Sequence, residues 1–184
     1  MKSNLNSEFI QIIKNDPWMI KILKIVRDLD LNDCWVGAGF VRNKIWDYKH
    51  NINRTELNDI DVIHFDKNKP SAASDLSIEK KLKTTHPALN WSVKNQARMH
   101  IRNHHKPYAN CNEAISFWPE TATSIAVRLN LKDEIEYIAP YDLEDLFNLL
   151  VIPTPDFDVN IYLNRIQQKS WKQHWNKLNI KINF

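Results

Sequence analysis

A chain of 184 residues with 43% hydrophobic and 26% charged side chains has the composition of a folded globular protein. At that size it buries roughly 70% of its unfolded surface without disulfide or metal staples. Two cysteines, Cys34 and Cys111, are too few and too far apart for a disulfide framework or a zinc site. No apolar run reaches membrane-spanning length, and the N-terminus lacks a signal peptide's apolar stretch, so a cytoplasmic protein is expected. The net charge of +3 permits nucleotide or nucleic-acid binding without demanding it.

Residues 7–14 and 16–30 read as two amphipathic helices. In the second, Asp16 is a natural N-cap, Pro17 suits the first helical position, and Trp18, Ile22, Ile25, Val26 and Leu29 form the apolar stripe. The run CWVGAG predicts a short buried strand over 34–39, followed by a helix over 40–50. DIDVIHF, rich in β-branched residues, predicts the next strand over 59–65. Residues 66–75 have loop composition, and a helix is expected over 76–84. From 89 to 101 the pattern alternates, with Trp91, Val93, Asn95, Ala97 and Met99 on one face, which predicts a strand. A helix over 110–118, a hairpin turning at Lys132-Asp133, and helices over 142–152 and 159–175 complete the chain. The fold class is α/β or α+β with a small mixed sheet.

The chain has only two glycines, Gly37 and Gly39, and both stand at the predicted strand-to-helix turn. Glycine lets backbone approach a phosphate closely, and the free N–H groups of a helix N-terminus then face the anion. GAGFVR departs from the dinucleotide fingerprint GxGxxG, because Arg42 stands where the third glycine belongs. Downstream, Asp59 and Asp61 are two residues apart on a strand, so both point to one face, about 6.6 Å apart along the chain. Such a pair repels itself unless a divalent cation such as Mg²⁺, shared with substrate phosphates, removes the conflict; an exposed, solvated pair is the alternative. Arg42, in the first helical turn, opposes the helix dipole unless an anion lies nearby.

These segments resemble the nucleotidyltransferase superfamily of DNA polymerase β and the CCA-adding enzymes: a glycine pair at a strand-to-helix turn, then two acids spaced i, i+2 on the next strand. VKNQARMH at 93–100, WPETAT at 118–123 and APYDLEDLFNL at 139–149 are further similar to a family of small bacterial nucleotidyltransferase-like proteins. The resemblance implies one nucleotidyltransferase-like domain over 1–184: N-terminal helices (1–30), a sheet core carrying the site (31–140), and C-terminal helices (141–184). It implies transfer of a nucleoside monophosphate from an NTP to an unknown acceptor (small molecule, RNA or protein), with release of pyrophosphate. Asp59 and Asp61 would be catalytic and hold Mg²⁺ or Mn²⁺. Gly37, Gly39, Arg42, Lys94 and Asn95 would bind substrate and phosphate.

The family's third carboxylate, from a later strand, is missing: WSVKNQARMH contains no acid, and Asn95 stands in the expected place, with Glu120 as another source of charge. A nucleotide- or nucleic-acid-binding member of the same fold without catalysis is therefore the alternative. His100, His104 and His105 read as a basic rim or a metal site, and Trp171 and Trp175 as helix packing or a base-stacking platform.

Overall fold

The computed structural model describes residues 2–183. Two helices, α1 (Lys2–Lys14) and α2 (Pro17–Arg27), lead into β1 (Trp35–Gly37) and α3 (Gly39–His50). Then come β2 (Ile60–His64), α4 (Ala72–Thr85) and β3 (Trp91–Asn95), followed by the short helices α5 (Met99–Asn103) and α6 (Cys111–Ser116). The hairpin β4 (Ala126–Leu129) and β5 (Ile135–Ile138) precedes the single-turn α7 (Glu144–Phe147). Finally β6 (Leu150–Val151) pairs with β7 (Asn179–Ile180) across α8 (Val159–Lys169).

The main sheet has the order β3-β2-β1-β4-β5; β2 and β3 are parallel and the other pairs antiparallel. One face is buried by a large cluster that includes Val36, Val62, Val93 and Val127, and the other by a smaller cluster around Trp35, Ile63, Cys111 and Ile115. This is the mixed sheet with helices packed against it that the resemblance implied. Among the described residues no helix is long and apolar enough to cross a membrane.

Local chemistry accounts for the element ends. Asp16 caps α2 by accepting from Met19 N at 3.1 Å, with Pro17 in the first turn, as its sequence predicts. Arg54 and Lys44 also converge on Asp16, so the cap doubles as a buried ion-pair centre. Ser71 caps α4, which begins at Ala72 inside the stretch expected to be loop.

The strand expected over 89–101 stops at Asn95, because the Asn95 side chain accepts from Ala97 N and starts a 3₁₀ turn that runs into α5. The terminal helix stops at Lys169, where Ser170 adopts a left-handed conformation at φ 49° and a 3₁₀ turn follows. The helix expected over 142–152 is only four residues long, since the chain leaves it to pair β6 with β7.

Candidate active site

A cleft of about 300 Å³ opens at the end of the sheet where β1 finishes and β2 begins. Its walls come from three parts of the chain: the β1–α3 turn, the loop 55–58 with Asp59 and Asp61, and the segment from Arg165 to Trp175. One buried carboxylate fixes two of these walls to α3. Asp47 accepts from Thr55 N at 2.8 Å, Thr55 Oγ1 at 2.6 Å and Trp175 Nε1 at 2.8 Å. A larger groove of about 560 Å³ lies near α1 and α3, but it contains neither aspartate, and its Lys44 and Arg54 are already bonded to Asp16.

Asp61 lies on β2 opposite Gly37 of β1 and Ser92 of β3, and Asp59 stands just before the strand. Burial, reinforced by the charge of Asp59, pushes the Asp61 carboxyl up to about 6, against the hydrogen bond from Ser92 and the pull of Arg42 and Lys169. The pair is thus held in the electrostatic conflict that its spacing predicts. Two carboxylates with a hydroxyl beside one of them form a hard oxygen donor set, which fits Mg²⁺ or Mn²⁺ shared with phosphates and water. Among the described residues no group of three His, Cys, Asp or Glu side chains is assembled to hold a metal by itself.

The two glycines do different things. A Cβ on Gly37 would sit 3.0 Å from Trp118 Cη2, 3.1 Å from Ile125 O and 3.2 Å from Ala126 Cβ, so this glycine lets β1 and β4 close together. A Cβ on Gly39 would meet nothing nearer than 3.6 Å, and Gly39 lines the cleft at the start of α3. Neither glycine has a positive φ; the strained residue is Ala38 between them, at φ 52° and ψ −123°. That region is costly for a residue with a side chain. Ala38 offers no side-chain cap to α3, and Ala38 and Gly39 line the cleft at the start of the helix.

Arg42 reaches the cleft from within the fold and is only 6% exposed. Its Nε and Nη2 donate to Asn43 Oδ1 at 3.2 and 2.9 Å, and its Nη1 donates to Thr123 Oγ1 at 2.9 Å, all neutral acceptors. The guanidinium packs 5.0 Å from the Trp46 ring centre and 4.5 Å from that of Trp171. Burial drives its pKa down to about 10, which still leaves it charged at neutral pH. Its direct hydrogen-bond partners are thus neutral, and the charges of Glu120 and Asp61 favour the protonated guanidinium without outweighing burial.

The structure does not bring Asn95 or Lys94 to this cleft. Ser92, not Asn95, is the register partner of Asp61; Asn95 pairs with His64 and shares the opposite face with Val62 and Val93. Its side chain is wholly buried, donating to Asp66 O and Lys69 O and accepting from Asp66 N and Ala97 N. Lys94 donates to Val93 O and lies 3.9 Å from Glu79. Glu120 is fully buried and receives Arg165 Nε at 2.5 Å, and its charge also favours the protonated forms of Arg42 and Lys169.

Trp171 and Trp175 are buried in edge contacts with Trp46, which answers the stacking question in favour of packing. His105 bonds Tyr108, and among the described residues the histidines at 100–105 form no metal-binding group. Sequence reasoning missed Asp47, Arg165 and Lys169. The i, i+4 spacing of Arg165 and Lys169 marks a shared helix face, but nothing local says what that face meets.

Comparison with known proteins agrees with this geometry. A nucleotidyltransferase family model matches residues 24–180. A solution structure described as revealing a CCA-adding enzyme head domain is 37% identical, with a TM-score of 0.86 over 96% of both chains. A CCA-adding enzyme in complex with CTP shares the fold at 16% identity and TM-score 0.56, covering 98% of this chain and 43% of that one. The Thermotoga maritima CCA-adding enzyme complexed with tRNA does so at 16% identity and TM-score 0.56, covering 90% and 40%. The chain thus spans less than half the length of those two enzymes. No curated protein sequence matches it. With a family model spanning 24–180 and a close structural match over nearly its whole length, the chain belongs to the nucleotidyltransferase family.

Proposed function

We propose that the protein is a metal-dependent nucleotidyltransferase that moves a nucleoside monophosphate from an NTP to an acceptor hydroxyl and releases pyrophosphate. The observation that carries this reading is Asp61, a half-buried carboxylate pushed up to about 6 by burial and by Asp59, facing a cleft whose opposite wall is cationic. Mg²⁺ or Mn²⁺ bound there would neutralise the pair and polarise the phosphates. Asp59 and Asp61 hold the cation. Arg42 adds fixed positive charge, and Gly39 at the start of α3 gives the phosphates close access to backbone. The acceptor oxygen bonds to the α-phosphorus as the bond from that phosphorus to the pyrophosphate oxygen breaks in line. The acceptor's proton leaves to solvent. Positioning and charge neutralisation do the work, as is general for this chemistry.

The second reading, a member that binds nucleotide without transferring it, is favoured by Ser92. Its hydroxyl occupies the register position beside Asp61, where a neutral group leaves any bound metal more positive. Pyrophosphate release separates the two. Incubation with each of the four NTPs, Mg²⁺ or Mn²⁺, and candidate RNA, protein and small-molecule acceptors should yield pyrophosphate, lost in Asp61→Asn. Nucleotide binding without release in every combination would support the second reading.

A further inference from the structure

We infer that Arg165 and Lys169, one turn apart on α8, form a subsite for the terminal phosphates of a nucleoside triphosphate, with Glu120 as the residue that positions Arg165. This rests on the reading of the cleft as a nucleotide site and assigns its far wall.

Three observations converge on it. The two side chains lie on one helical face and line the same cleft as Asp59 and Asp61. Lys169 feels both arginines: each of the other two cations disfavours its charge, below burial in weight, and the Asp59 and Glu120 carboxylates pull the other way. Both arginines also pack on Trp171, with the Arg165 guanidinium 5.7 Å and the Arg42 guanidinium 4.5 Å from its ring centre. On this wall three cations share one carboxylate, Glu120, and a polyanion in the cavity offsets the excess positive charge.

Glu120 gives the arrangement a direction. Its fully buried carboxylate accepts from Arg165 Nε at 2.5 Å and, more distantly, from Nη2 at 3.5 Å, which clamps one edge of the guanidinium and leaves Nη1 unbonded to Glu120. The Arg165 side chain stays 28% exposed, so it is anchored inside while keeping contact with the cleft. The ends of the site are then chemically distinct. Carboxylates with their cation fit the α-phosphate at one wall, and fixed guanidinium and ammonium groups fit the departing phosphates at the other.

The test is titration of inorganic tripolyphosphate, ATP and AMP, each with Mg²⁺, into the wild-type protein and two variants. Lys169→Gln is a surface change. The Glu120→Gln/Arg165→Gln pair removes both partners of the buried ion pair together, which avoids leaving one charge unpaired. Thermal melts confirm that each variant is folded. Tripolyphosphate and ATP should bind about tenfold to a hundredfold more weakly to each variant, as expected for losing a charge-assisted bond, while AMP affinity changes less than about threefold. Glu120→Asp, which keeps the carboxylate, should retain more tripolyphosphate affinity than the double variant. Equal losses for AMP and ATP, or no loss for either, would overturn the assignment. If no NTP binds to the wild type but tripolyphosphate binds and is lost in the variants, the subsite stands and the nucleotidyltransferase reading fails. If tripolyphosphate does not bind to the wild type, the subsite fails.

Discussion

The two ends of the β2–β3 pair each hold a carboxylate withdrawn from solvent, and they handle it in opposite ways. At the C-terminal end, Asp75 of α4 accepts from His64 Nε2 at 3.2 Å, from Asn95 N at 3.1 Å and from Arg98. Burial alone would raise its pKa, but these donors outweigh burial and hold the carboxyl below its ordinary value. With Glu79 accepting from Val93 N, the same helix also covers the open edge of β3. At the N-terminal end, Asp61 has Ser92 as hydrogen-bond partner and Asp59 as a repelling neighbour, and its pKa moves the other way. A satisfied carboxylate holds the fold together. An unsatisfied one, facing a cleft, marks where the protein holds free energy in reserve for a ligand.

Breaking the satisfied end should cost most. Asp75→Ala leaves Arg98, His64 and the Asn95 amide without their acceptor, and a loss of about 3–5 kcal/mol is expected in chemical denaturation. The folded fraction should still bind nucleotide, because the cluster lies three register positions, about 10 Å, from Asp61. Loss of nucleotide binding from a fully folded variant would mean that the two ends are coupled.

The glycines sharpen the same contrast at smaller scale. Gly37→Ala forces a methyl against Trp118, Ile125 O and Ala126, and should destabilise by about 1–3 kcal/mol. Gly39→Ala meets only ordinary contacts, so its stability should stay within about 0.5 kcal/mol of wild type, and any effect belongs to phosphate binding. Equal melting temperatures for the two variants would remove the distinction.

At the unsatisfied end the sign reverses. The Asp61 carboxyl is raised from 3.8 to about 6, so the folded protein binds the extra proton between those values and loses stability as pH rises through them. Above about pH 6 the full penalty applies. Asp61→Asn should then stabilise the metal-free protein, by on the order of 1–2 kcal/mol once solvent screening is allowed for. The gain should vanish below pH 3.8, where Asp61 is protonated whether folded or not. Denaturation midpoints of both proteins from pH 3 to 8 provide the check; a variant less stable at pH 7.5 would show that the pair is not in conflict.

Much of the site was legible because it is local. The glycine turn and the i, i+2 acids place themselves by strand period and turn chemistry alone, and Asp16-Pro17 names the start of α2. What was not legible depended on pairing between distant segments. A parallel strand pair has no turn to fix its register, so nothing in WSVKNQARMH says that Ser92 rather than Asn95 meets Asp61. The alternation persists past Asn95 in the sequence although the chain has already turned, because one side-chain bond to Ala97 N overrides it. Arg165 and Lys169 lie more than a hundred residues from Asp61, and the left-handed Ser170 helps turn the tryptophans behind them into the core.

The most direct test of the account is Mn²⁺ binding followed by electron paramagnetic resonance, with and without a non-hydrolysable NTP analogue, in wild type and in Asp59→Asn/Asp61→Asn. The account predicts weak Mn²⁺ binding to the wild-type protein, tightened by the analogue and weakening as pH falls below about 6, and none at this site in the double variant. Mn²⁺ and analogue binding that is unchanged in a folded double variant would contradict it, because the aspartates would then not be where the metal and the nucleotide meet.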